Sequence, residues 1–72
     1  MTDGKSMTIT ANGSDYDVPT GTSLADFVKD RGLALDRVVV ERNGHPLTPR
    51  EARETTLEPA DRLEIIQIVA GG

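Results

Sequence analysis

The chain has no cysteine and no tryptophan, and only one histidine, one tyrosine and one phenylalanine in 72 residues. Without cysteine there is no disulfide framework, no thiol nucleophile and no thiolate metal site. That usage fits a reducing compartment. His45, in the stretch NGHP, cannot build a metal site alone and stands at no recognisable triad spacing, so it reads as a solvated turn residue. No segment approaches the roughly 20 apolar residues that span a bilayer. The opening MTDGKSMTIT holds no apolar stretch of signal-peptide length. The expectation is a soluble, cytoplasmic protein without a membrane partner. Positive charge is also scarce: Lys and Arg number 8 against 12 Asp and Glu, for a net charge of −4. Nucleic acid is repelled by that balance, and no basic stripe or aromatic stacking platform offsets it. If the acidity carries a message, the partner's surface is basic. GTSLAD lacks the lysine and spacing of a phosphate loop. Asp15 and Asp17 share a strand face, but an open sheet surface gives no enclosed pocket to raise a carboxyl pKa. REARE at 50–54 is a charged, solvated run.

What is present describes one small domain with a modest core. MTITANGSDYDVP reads as a hairpin, because both residues of Asn12-Gly13 can take positive φ in a two-residue turn. That turn sets Ala11 opposite Ser14, Ile9 opposite Tyr16 and Met7 opposite Val18, which gathers the apolar residues on one face. Pro19 ends the strand. RVVVERNGHPL repeats the logic with Asn43-Gly44 and sets Val40 opposite Leu47. Pro46 makes the return strand short or places it at an edge. Between the hairpins, TSLADFVKDRG reads as a helix of about three turns. Thr22 or Ser23 can cap it, Asp26 stands at capping-box spacing, and Leu24, Phe27 and Val28 form the apolar stripe. Gly32 is placed to stop it. TPREARETTLEPAD is irregular, with one helical turn near Arg50 to Arg53, and RLEIIQIV is the last strand.

The order β-β-α-β-β-β with a single helix predicts an α+β roll: a mixed four- to five-stranded sheet with the helix packed on one face. The last strand is apolar enough to be central, beside the first strand and parallel to it. Its parity then matters. Leu63 and Ile65 point toward the helix, while Glu64, Ile66 and Ile68 point away from it. Val39, between inward Val38 and Val40, joins Ile66 and Ile68. Strand propensity, or burial under the irregular loop, accounts for these residues in one reading. In the other, Val39, Ile66, Ile68 and Val69 form a partner-binding patch, since contiguous exposed apolar surface marks interaction sites.

Val69 is followed by Ala70, Gly71 and Gly72. A frayed end is one explanation, because glycine costs nothing where nothing is ordered. The other is mechanical. A backbone without Cβ atoms threads a slot too narrow for other residues and leaves its carboxylate unhindered.

Three stretches, VVVERNGHPLTPRE, LEPADRLEIIQIV and AGG, give a pattern that resembles the small sulfur carriers of thiamine biosynthesis, the ThiS family. It covers Met7 to Gly72. The chain departs from it at Ala60, where the family often has glycine before the aspartate of its last strand. The resemblance implies a β-grasp, ubiquitin-like domain over 7–68, a disordered extension over 1–6 and a flexible tail over 69–72. It implies that the Gly72 carboxylate is adenylated and then converted to a thiocarboxylate, with Ala70 and Gly71 threading the tail into the partner. The partners would be a ThiF-like adenylating enzyme that uses ATP and Mg²⁺, a sulfur-donor protein, and a ThiG-like thiazole synthase. The chain would bind no cofactor, catalyse nothing, and be a monomer when free. A sibling carrier for molybdopterin or cysteine synthesis shares the same chemistry. A β-grasp adaptor with incidental glycines, or a lysine-conjugated modifier, shares the same fold.

Overall fold

Both Asn-Gly pairs turn the chain as their chemistry requires. Asn12 and Gly13 take φ of 52° and 84°, and Asn43 and Gly44 take 52° and 82°. Two consecutive positive φ values match the right-handed twist of the flanking strands. The computed structural model describes residues 5–69, and these turns join β1 (Ser6–Ala11) to β2 (Ser14–Pro19) and β3 (Val38–Arg42) to β4 (His45–Pro46). The first hairpin pairs Ala11 with Ser14, Ile9 with Tyr16 and Met7 with Val18, as the turn dictates. In the second, Leu47 N donates to Val40 O at 2.9 Å just past β4. Pro46 cannot donate, and β4 is only two residues long.

The fifth strand, β5 (Arg62–Gln67), lies at the centre of the sheet between the two hairpins. The sheet order is β2-β1-β5-β3-β4, with β5 parallel to β1 and antiparallel to β3. This is the mixed five-stranded sheet of a β-grasp roll. α1 (Leu24–Asp30) covers one face, burying Leu24, Phe27 and Val28 against Met7, Ile9, Ala11, Val18, Val40, Leu63 and Ile65. Ser23 Oγ accepts from Asp26 N at 3.0 Å to start the helix. It ends after two turns, shorter than the three its sequence suggests. Gly32 at φ 79° lets Gly32 N donate to Lys29 O and Leu33 N to Val28 O, which closes the last turn.

Two further features depart from the sequence expectation. β1 begins at Ser6, one residue before the boundary placed at Met7, because Ser6 still pairs with Pro19. Residues 1–4 of the expected extension lie outside the described residues. The 49–54 stretch is a helix of six residues, α2 (Pro49–Glu54), and not a single turn. Thr48 Oγ1 accepts from Glu51 N while Glu51 Oε1 accepts from Thr48 N, at 3.1 and 2.9 Å. That reciprocal cap, with Pro49 at the first helical position, satisfies two otherwise orphaned amides. α2 buries Ala52 beside Leu57 at the end of the core. Among the described residues no helix is long and apolar enough to cross a membrane.

Ala60 carries backbone strain. It sits at φ 68°, held there as Ala60 N donates to Thr8 O at 2.9 Å and Asp61 N to Glu58 O at 3.1 Å. An L-residue in this region costs roughly 1–2 kcal/mol that glycine avoids, whereas glycine loses roughly 0.5–1 kcal/mol more chain entropy on folding. Ala60→Gly is therefore expected to stabilise the domain by about 0.5–1 kcal/mol. A thermal melt should move up by several degrees, at about 4–8 °C per kcal/mol for this size. A lower melting temperature would show that the strain is relieved elsewhere.

Candidate functional site

Alternation along β5 sorts its side chains between two environments. Leu63 and Ile65 are buried under α1, while Ile66 and Ile68 stay 55% and 52% exposed on the opposite face. Ile66 stands directly across from Val39 on β3, itself 44% exposed. Val69 is 85% exposed. No helix among the described residues covers this outer face. Val39 and Ile68 also line a hollow of about 290 Å³ with Leu35, Val38, Leu47 and Ala52. Val39, Ile66 and Ile68 are thus neighbours, apolar and open to solvent, and Val69 follows them in the chain, exposed as well.

The same face changes character along the strands. Two residues beyond Val39–Ile66, at the next pair on this face, Glu41 stands opposite Glu64. Farther on, Thr10 Oγ1 donates to Asp15 Oδ1 at 3.1 Å, and Thr8 Oγ1 donates to Asp17 Oδ1 at 2.8 Å. Asp15 and Asp17 are therefore solvated hydrogen-bond acceptors on an open sheet. His45 is exposed in β4. Among the described residues no group of His, Asp and Glu could hold a metal ion.

β5 is fixed at both ends, which determines where the chain leaves the sheet. At its start, Asp61 is only 4% exposed. Its carboxylate accepts from Arg42 Nε at 2.9 Å, from Glu58 N at 2.8 Å and from Asn43 Nδ2 at 3.1 Å. Burial pushes this carboxyl up, but the Glu58 amide, the Asn43 side chain and the Arg42 guanidinium outweigh it and hold the pKa below 3.8. Along its length, the turn asparagines complete the ladder. Asn12 Nδ2 donates to Ile65 O at 3.1 Å and Asn12 Oδ1 accepts from Ile65 N at 2.7 Å. This carboxamide does the work of a peptide unit where β1 has already turned away. On the other side Asn43 Oδ1 accepts from Arg62 N at 2.9 Å. At its far end Ile68 N donates to Arg37 O at 2.9 Å. The chain is therefore held on the sheet as far as Ile68, at the rim of the apolar face. Ala70, Gly71 and Gly72 lie outside the described residues.

The sequence reading did not find Asp61, Asn12 or Asn43 in these roles. An Asn-Gly pair announces the turn but not which distant strand the asparagine side chain will meet.

Comparison with known proteins adds three findings. The chain matches the ThiS family over residues 4–72. It is similar to a thiazole synthase of Magnetococcus marinus, 29% identical over 66 residues, a match covering 92% of this chain and 20% of that protein. The chain thus spans about a fifth of the length of this curated relative. It is also similar to the crystal structure of a thiamine biosynthesis protein (ThiS) from Geobacter metallireducens, with a TM-score of 0.74 at 26% identity, covering 92% of this chain and 100% of that one.

Proposed function

The chain belongs to the ThiS family of small sulfur carriers, and from that premise we propose that it carries sulfur on Gly72 for thiazole formation in thiamine biosynthesis. The match through residue 72 carries this reading. The geometry agrees with it, since β5 delivers the chain to the rim of an exposed apolar face.

The chemistry requires little of the carrier itself. A carboxylate is a poor electrophile because its leaving group would be oxide. Attack of the Gly72 carboxylate on the α-phosphate of ATP, in an adenylating enzyme that also holds Mg²⁺, forms an acyl-adenylate and releases pyrophosphate. The acyl carbon then has AMP as a good leaving group. The terminal sulfur of a persulfide donor protein displaces AMP to give an acyl disulfide. Attack of a second thiol on the donor's sulfur breaks the S–S bond, leaving the thiocarboxylate and a disulfide between that thiol and the donor. That group is ionised at neutral pH and is a better nucleophile than the carboxylate it replaces. It passes its sulfur to the growing ring in a thiazole synthase. The thiazole synthase among the relatives favours this acceptor over molybdopterin or cysteine synthesis. Sulfur rides on the chain terminus, so no side-chain thiol is needed. Ala70 and Gly71 thread the adenylating site, and Val39, Ile66, Ile68 and Val69 dock the body against the enzyme. The carrier works as a cytoplasmic monomer that binds no cofactor of its own.

Intact mass tests this reading. After incubation with the adenylating enzyme, Mg-ATP and a sulfide source, the chain should gain the mass difference between sulfur and oxygen, mapped to its last peptide. A chain lacking Gly71 and Gly72 should gain nothing yet still bind the enzyme. No gain on the full chain, with an enzyme active on another carrier, would overturn the proposal. Binding without any mass gain would then favour an adaptor.

A further inference from the structure

Resting on the carrier reading, we propose that the enzyme docking on the outer sheet face brings a basic side chain to the Glu41–Glu64 pair. Glu41 and Glu64 stand directly opposite each other in the register of β3 and β5. Side chains so placed have Cβ atoms roughly 5 Å apart, and like charges there destabilise a sheet. Neither carboxylate is relieved. Among the described residues the ion pairs are Arg42 with Asp61 and Arg50 with Glu54, and Glu41 and Glu64 take part in none. Arg62 is exposed two residues along the same face and makes no ion pair with either.

The position of the pair makes this repulsion informative. On the outer face Glu41–Glu64 is the next pair after Val39–Ile66, two residues along each strand, with the inward Val40–Ile65 pair between them. A specific interface buries about 800 Å² on each partner. Val39, Ile66, Ile68 and Val69, three of them about half covered already, fall short of that area, so the footprint runs on past them. Toward the acidic pair it meets two carboxylates whose desolvation is costly unless a cation accompanies them. An apolar surface on the enzyme edged by Lys or Arg satisfies both halves of the face. The chain's net charge of −4 steers the same encounter.

The test separates this role from a structural one because the two move in opposite directions. The Glu41→Gln/Glu64→Gln chain should melt no lower than the parent, since a repulsion has been removed. Its affinity for the adenylating enzyme, by titration calorimetry at low salt, should fall about tenfold or more. The gap should narrow at high salt, where screening weakens the parent's ion pair. Glu64→Gln alone should show part of the same loss, and covers the case in which the double variant fails to fold. Unchanged affinity at every salt concentration, in a parent chain that still gains sulfur, would overturn the proposal and leave the carrier reading standing. A parent chain that neither binds nor gains sulfur would remove both.

Discussion

Ile66→Asp is expected to fold normally and to lose the adenylating enzyme. Ile66 is more than half exposed on the outer face, so its replacement opens no cavity in the core. The stability cost is that of a poor strand former, about 1 kcal/mol or less. In an interface the same change puts a carboxylate at the centre of an apolar contact, beside Val39 and two residues along the same face from Glu41 and Glu64. Central apolar anchors contribute about 2 kcal/mol or more, so affinity should fall about 30-fold or further. Circular dichroism and calorimetry on one preparation give both numbers. Ile65→Asp is the matched control. Ile65 is 9% exposed and packs under α1, so a carboxylate there should unfold the domain. An Ile66→Asp chain that binds at parental strength would move the docking surface off this face.

The second large effect falls on stability, at Asp61→Asn. The carboxylate receives three donors, from Arg42 Nε, Glu58 N and Asn43 Nδ2. An amide offers one oxygen, so at least one of these donors would face an NH₂ group. Asn43 cannot turn its own amide over freely, because its Oδ1 already accepts from Arg62 N. Losing charge-assisted bonds in this buried position should cost about 2–4 kcal/mol. A domain this small holds only about 5 kcal/mol in total. The melting temperature should therefore fall by about 10 °C or more. The effect has a definite pH window. The folded-state pKa lies below 3.8, so the unfolded chain takes up the proton first as pH falls. The contribution of Asp61 is complete well above that value and is lost as pH drops through the folded pKa. Urea midpoints of parent and variant should differ most near neutrality and converge in acid. A constant difference down to low pH would mean that charge at Asp61 contributes little.

Much of the fold could be read from local chemistry. Each Asn-Gly turn sets its register by itself, and the period of two in LEIIQI divides core from surface without help from distant residues. That division placed Val39, Ile66 and Ile68 on the open face. What could not be read depends on contacts made far along the chain. Asp61 is an ordinary acidic residue until Arg42 and Asn43 are brought to it. The turn asparagines show nothing in sequence of their bonds to β5. Ala60 looks harmless until Thr8 locks its amide. The α2 cap is a different case: Thr48, Pro49 and Glu51 at that spacing are a helix start in their own right. Only one turn near Arg50 to Arg53 is legible there, because PREARE offers a single apolar side chain besides its proline, Ala52, to the core.

The sheet order also bears on how the protein comes into being. β5 is the middle strand and the last to leave the ribosome among the described elements. The two hairpins close over short loops and can form while synthesis continues. Ile9 and Val40 have nothing between them until Leu63 and Ile65 arrive, and Thr10 pairs with Arg62, 52 positions further along the chain. That late closure is the slow, entropically costly contact. A stalled or shortened chain is thus two loose hairpins and a solvent-exposed helix, attractive to proteases and without a platform for partners. The apolar face is complete only once Ile66 of the last strand has paired with Val39, so synthesis of β5 is the step at which that surface comes into being.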